Sequence, residues 1–199
     1  MKRRLLNETA VIVGSINIRN GTRYYPIWAV DYFQWSTSRN KQFRDQMDDV
    51  IIMKLGMNVP DNIIIHSLAS VPKENSYGLE IVAAGWGNTI HKVTPQILHT
   101  AKMQVISNED CAIRLASLLG ILVNLPEKFM CSIAEPYVLM HSGDSGCPIF
   151  FNEEIIAIHK TTIPFPDQPT VPSSKINVHS TIDYYRDFIL DIINSERDW

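Results

Sequence analysis

No stretch of the chain is long and apolar enough to cross a bilayer. The longest apolar run, residues 115–123 ("LASLLGILV"), has nine residues, against about 20 for a membrane-spanning helix. A basic stripe is missing too: Lys2, Arg3 and Arg4 cluster at the start, but elsewhere acidic and basic residues are interspersed, for a formal net charge of -3. That balance excludes the electrostatic footprint of a nucleic-acid binder. The opening "MKRRLLNETAVIVG" has the charged start of a signal peptide without its apolar core, since only Leu5 and Leu6 precede polar Asn7 and Glu8. Cysteine is scarce: Cys111, Cys131 and Cys147 allow one disulfide and leave one thiol over. There is no internal repeat and no low-complexity segment, and nothing implies a metal or an organic cofactor.

What is present is a chain of 199 residues, 45% hydrophobic and 20% charged, enough for one sizeable core or two small ones. "ETAVIVGSINI", "RYYPIWAVDYF", "DDVIIMKLG", "LEIVAAGWG", "AKMQVIS" and "EIIAIHKTT" are short, rich in Ile, Val, Tyr and Trp, and separated by Gly, Pro, Asn and Ser. They read as strands of an all-β barrel or sandwich. Two helices are expected. "SNEDCAIRLASLLGILV" opens with a capping box, Ser107 with Asp110, and sets Leu115, Leu118, Leu119 and Leu122 at helical spacing. In "STIDYYRDFILDIINS" the positions Tyr185, Phe188, Ile189, Ile192 and Ile193 form one stripe, predicting a C-terminal amphipathic helix packed on the sheets. Polar and turn-forming residues cluster at 71–78, "VPKENSYG", which places a boundary between two halves there. Asn7 and Asn20 each begin an N-x-Thr sequon, which matters only if the chain is exported.

The stretch richest in chemistry is "HSGDSGCPIF", residues 141–150. A serine hydroxyl is a poor nucleophile near neutral pH, so catalysis needs a base for its proton and donors for the oxyanion that develops. Gly143 and Gly146 let the backbone turn tightly beside Ser145, so that the amides of Gly143 and Ser145 can point together at one oxygen. A bare G-D-S-G equally suits a turn between two strands, and these residues alone leave both readings open.

The surrounding segments resemble the chymotrypsin/trypsin family of serine endopeptidases, whose signature is G-D-S-G-G-P. "VAAGWGN" (82–88) is similar to the family's glycine-tryptophan-glycine turn, "VISNEDC" (105–111) and "FMCS" (129–132) to its N-x-x-C helix start and following cysteine, and "DDVIIMKL" (48–55) to its D-I-A-L-L-K-L. "EIIAIHKTT" resembles the strand after the nucleophile, and "NVHSTIDYYRDFILDII" the last strand and terminal helix. The resemblance implies a double six-stranded antiparallel β-barrel with a C-terminal helix. Residues 1–75 would be the remnant of an incomplete first barrel, and 76–199 the second barrel with the helix. It further implies Ser145 as nucleophile, Asp49 as the buried triad acid, Gly143 with Ser145 as oxyanion donors, and a Cys111–Cys131 disulfide. That bridge implies an oxidising, extracellular setting, and the implied partner is a protein or peptide.

The family pattern also fails in places. Residues 1–48 contain no histidine, although the family's catalytic base precedes its aspartate. His66, His91, His99, His141, His159 and His179 all follow Asp49 and fall in segments assigned to other strands and loops, so each reads as a surface or packed histidine. The chain resembles a form beginning just past the histidine motif, and it also lacks the new N-terminal ammonium group that pairs with the aspartate before the nucleophile. Asp144 is then expected to be a buried carboxylate without a partner, prone to take up a proton, beside a poorly formed oxyanion hole. His141 and Cys147 stand where the family has a bridging cysteine and a glycine, and Cys147 reads as a packing thiol. Leu139 sits at the position acidic in trypsins, which speaks against an Arg- or Lys-selecting pocket. Thr162 and Asn177 align with wall glycines, so the pocket is expected to be narrow or closed. Lys160, near the serine that helps hold the triad acid, can instead neutralise Asp49. Two readings follow: a serine endopeptidase domain inactive without its histidine, or a non-catalytic homologue that binds or regulates a protein partner.

Overall fold

The computed structural model describes residues 6, 8–41, 48–89, 91–165, 174–195 and 199; Asn7, the first sequon, lies outside them. The chain divides into two compact units, residues 1–64 with 185–199, and residues 65–184.

The first unit contains two separate antiparallel ribbons. β1 (Val11–Val13) pairs with β2 (Thr22–Tyr24), and β3 (Pro26–Asp31) with β4 (Ile51–Leu55). Between β3 and β4 the chain turns into α1 (Tyr32–Ser38), where the sequence reading had only strand. The cause is Asp31, which caps the helix reciprocally: its carboxylate accepts from the Gln34 N–H at 2.8 Å while the Gln34 amide oxygen accepts from the Asp31 N–H at 3.2 Å. Aromatic side chains of α1 meet the terminal helix α3 (Ile182–Ile193). Tyr32 stands edge-on to Tyr185 and Phe188 at 5.2 and 5.6 Å between centroids, and Trp35 donates through Nε1 to Asp191 at 2.6 Å. The stripe of Tyr185, Phe188, Ile189 and Ile192 is buried as expected, but Ile193 is exposed. Within this unit these ring contacts run to a helix where packing on a sheet was expected, because the Asp31 cap sets α1 in its path.

The second unit is a closed six-stranded barrel in the order β10-β7-β6-β5-β8-β9. Its strands are β5 (Glu80–Gly85), β6 (His99–Ile106), β7 (Phe129–Ile133), β8 (Pro148–Phe151), β9 (Glu154–Ile163) and β10 (Ile176–Thr181). Alternation puts Ile81 and Ala83 of β5, Met103 and Val105 of β6, and Ile149 of β8 into one core. A second cluster forms where α2 (Asn108–Leu119) covers β7 and β10, with Cys111, Leu115, Phe129, Cys131, Ile176 and Val178 buried together. Ser107 caps α2, accepting from the Asp110 N–H at 3.0 Å and donating to its carboxylate at 2.7 Å. The helix stops at Leu119 because Gly120 takes the left-handed conformation, φ +70°. Leu122, counted in the helical stripe by spacing, therefore lies beyond the helix and is 97% exposed.

The first break between the two units falls between Ile64 and Ile65. Residues 67–69 are tied into the second unit: the Ala69 N–H donates to the Ile155 carbonyl and the Ile155 N–H to that of Ser67, each at 2.9 Å. Lys73–Ser76 then forms a short 3-10 turn with Lys73 and Ser76 buried.

Candidate active site

Ser145 lies on the loop entering β8, at the second position of the second of two consecutive four-residue turns that share Asp144. The Asp144 N–H donates to the His141 carbonyl at 2.9 Å, closing the first turn, and the Cys147 N–H donates to the Asp144 carbonyl at 2.9 Å, closing the second. Each turn has glycine at its third position, Gly143 at φ +99° and Gly146 at φ +91°, a conformation that favours glycine there. The Ser142 carbonyl accepts from the Asn88 N–H at 2.9 Å, so the Gly143 N–H, anti to it across a trans peptide, points away from Asn88. Among the described residues neither the Gly143 nor the Ser145 amide is engaged in a hydrogen bond. The Ser145 hydroxyl is exposed and donates to the carbonyl of Lys160 at 3.2 Å.

Asp144 corrects an expectation. It is half-buried and has partners: its carboxylate accepts from the backbone N–H of Gly87 at 2.8 Å, from that of His141 at 3.0 Å, and from the Cys147 thiol at 3.7 Å. The seat is cut by absent side chains, since a Cβ at Gly85 or Gly87 would run into the Asp144 carboxylate. The glycine-tryptophan-glycine turn is thus a socket for Asp144, the residue before Ser145. Burial first, and the neighbouring carboxylate second, push the Cys147 thiol up to about 12. It is a neutral packing thiol.

Behind Ser145 the barrel carries polar side chains inward. Across β9 and β10, Thr161 pairs with Val178 and His159 with His179, so the register shifts and Lys160 is left as the extra residue of a bulge. The bulge breaks the two-residue period of β9, and both His159 and Thr162 turn into the core opposite His179 and Asn177. The Thr162 hydroxyl lies 2.7 Å from Asn177 Oδ1 and 2.8 Å from the Met140 carbonyl, sharing its one proton between them. Asn177 also accepts from the Met140 N–H at 3.2 Å and donates to the Val138 carbonyl at 2.8 Å. These bonds clamp residues 138–140 against the strands, filling space that glycine at 162 and 177 would leave open. Beside Ser145 there remains a depression of about 90 Å³, lined by Ser145, His141, His159, Thr162 and others, well short of the roughly 300–1,000 Å³ of ligand pockets. Leu139 is not in that depression. It lines a separate cavity of about 320 Å³ with Gly87, His99 and Asp144, and Asn177 lines neither.

Asp49 belongs to the first unit, just before β4, and is exposed, where the resemblance implied a buried acid. β4 sits in a two-stranded ribbon with β3, and its Ile51 and Met53 are exposed as well. Its neighbour Asp48 accepts from the Tyr185 hydroxyl at 2.8 Å. Lys160 places its ammonium 5.8 Å from the Phe129 ring centroid. The Cys111–Cys131 disulfide is formed. Asn20, the second sequon, is exposed in a turn closed by its N–H to the Asn17 carbonyl at 2.9 Å. Sequence reasoning missed the His159–His179 pairing, which only the strand register reveals.

Comparison with known proteins bears on the fold and the family. In Drosophila melanogaster, Melanization protease 1 is 27% identical over 115 residues, which are 55% of this chain and 28% of that protein. The chain thus spans well under half the length of this relative. Among solved structures, neuropsin, a serine protease expressed in the limbic system of mouse brain, superposes with a TM-score of 0.73 at 18% identity, covering 93% of this chain and 79% of neuropsin. That likeness concerns the fold. The family model described as Trypsin matches residues 5–189, and the chain belongs to the trypsin family.

Proposed function

We propose that this chain is a trypsin-like serine endopeptidase domain in which Ser145 holds the nucleophile position, and that these 199 residues by themselves do not turn over peptide bonds. The observation that carries the reading is the pair of glycine turns that presents the exposed Ser145 hydroxyl beside two unengaged amides. In the acyl-enzyme route a base takes the serine proton as the oxygen attacks the carbonyl carbon, amides of the Gly143 and Ser145 type hold the oxyanion, and the leaving amine departs with a proton. Asp49 would be the acid that orients that base. Residues 1–48 supply no histidine, and removing the base of such a triad costs up to about 10⁶ in turnover. The disulfide supports an oxidising, extracellular setting, where the exposed Asn20 and the sequon at Asn7 would be glycosylation acceptors.

A second reading, a non-catalytic homologue that recognises a protein partner, is favoured by the clamp of Thr162 and Asn177, beside which only a depression of about 90 Å³ remains next to Ser145. A fluorogenic peptide library separates the two. The 199-residue protein should show no cleavage above its Ser145→Ala variant, whereas a form with a histidine-bearing segment ahead of Asp49 should cleave. Turnover by the 199 residues that Ser145→Ala abolishes would overturn the first reading, and silence of the longer form would favour the second.

A further inference from the structure

The buried histidine pair behind Ser145 is used by neither reading above. His159 and His179 face each other across β9 and β10, with 3.3 Å between their Nδ1 atoms, and His179 Nε2 lies 2.8 Å from the Ser132 hydroxyl on β7. One arrangement of protons satisfies the whole chain: His159 Nδ1–H donates to His179 Nδ1, His179 Nε2–H donates to Ser132, and Ser132 donates to Met103 Sδ at 3.4 Å. Two facing Nδ1 atoms share one proton between them, so a fully protonated pair sets N–H against N–H. Both rings are almost completely buried, and burial disfavours the charged form.

The pair also holds the Ser145 loop. The Gly146 N–H donates to the His159 carbonyl and the His159 N–H to the Cys147 carbonyl, each at 2.8 Å, while Ser145 donates to Lys160 one residue on. These contacts sit at the Lys160 bulge, where the regular ladder is broken. The position of the loop therefore depends on a segment whose inward anchor is the His159 ring.

We propose that the His159–His179 pair is a proton-operated latch on the Ser145 loop, holding residues 144–147 while both rings are neutral and releasing them on acidification. A proton entering the pair creates an imidazolium in an apolar core, and the ring can regain water only by leaving it, which drags the 159–160 backbone from the loop. The surrounding charges oppose this weakly. Asp144 favours the charged form of His159, yet its carboxylate is already committed to the Gly87 and His141 amides. The charge of His159 in turn disfavours protonation of His179. Cys147 is neutral, and the Lys160 ammonium lies over the Phe129 ring. His141 lines the same depression as His159. Burial outweighs these effects, so His159 is pushed down to about 4 and His179 well below its ordinary value.

Cys147, the free thiol on this loop, is the reporter. Its labelling by 4,4′-dithiodipyridine is measured from pH 7.5 to 4.5, relative to a small thiol at each pH, with far-UV circular dichroism alongside. The relative rate should rise at least tenfold on acidification while the dichroism holds, and should stay flat in His159→Leu with His179→Phe. A flat rate in the parent, an equal rise in the double variant, or a rise only together with global unfolding would each overturn the latch. If the double variant does not fold, ring titration of the parent by NMR decides: two depressed transitions that move the 144–147 amides support the latch, and ordinary histidine titrations sink it.

Discussion

Gly87→Ala tests the socket that holds Asp144. The substitution asks nothing unusual of the backbone, but its methyl group would run into the Asp144 carboxylate, whose Oδ1 accepts from the Gly87 N–H at 2.8 Å. The carboxylate must swing out, breaking that bond and straining the one from the His141 N–H at 3.0 Å. A hydrogen bond to a charged group is worth about 1.5–3 kcal/mol, and replacing glycine by alanine returns about 0.4–1 kcal/mol through the unfolded chain. The net expectation is a loss of about 0.5–2.6 kcal/mol, measured by urea denaturation with circular dichroism. Asp144→Ala removes the obstacle, so Gly87→Ala should cost far less in that background, with a coupling of about 1 kcal/mol or more in the double-mutant cycle. If Gly87→Ala is as stable as the parent, or the two substitutions simply add, the carboxylate does not occupy the socket.

Other parts of the barrel give further expectations. His159 titrates near 4 in the folded chain and near 6.5 when unfolded, so as pH falls below about 6.5 the unfolded state takes a proton that the folded state refuses. Stability contributed by this ring is complete above that range and falls by about 3 kcal/mol as the pH approaches 4, with His179 acting in the same direction. Denaturation midpoints at pH 7 and 4.5 check it, and the fall should shrink in His159→Leu with His179→Phe. Glu153 occupies the β8–β9 turn at φ +66°, a left-handed conformation that costs a non-glycine residue about 1 kcal/mol. Glu153→Gly should therefore raise stability by about 0.5–1 kcal/mol, and a loss of thermal stability would contradict this. The Cys111–Cys131 bridge spans 20 residues, so Cys111→Ser with Cys131→Ser should cost about 3 kcal/mol; an unchanged urea midpoint would show that the bridge adds little.

Much of this fold is legible in the chain because strand and cap signals are local. The Ser107 cap and the short Ile- and Val-rich segments that became β5, β6 and β9 read correctly from their neighbours alone. α1 escaped because Asp31, Tyr32 and Phe33 close the aromatic, β-branched run 23–33 that reads as strand, while the Gln34 half of the cap lies just past its end. Leu122 was misplaced because spacing continues past Gly120 while the backbone does not. At the site, Ser145 and its glycines carry a sequence signature, but the partners of Asp144 are backbone amides, whose only trace is the pair of glycines at 85 and 87. The histidine pair is invisible for a different reason. His159 and His179 face each other only because of the bulge at Lys160, and a bulge is a property of register between strands.

The proposal that Ser145 holds the nucleophile position with no base among these residues can be checked by intact-mass spectrometry after exposure to a fluorophosphonate. No adduct above that of Ser145→Ala is expected on the 199-residue protein. A stoichiometric adduct mapped to Ser145 would contradict it and would mean that a group within this chain accepts the serine proton.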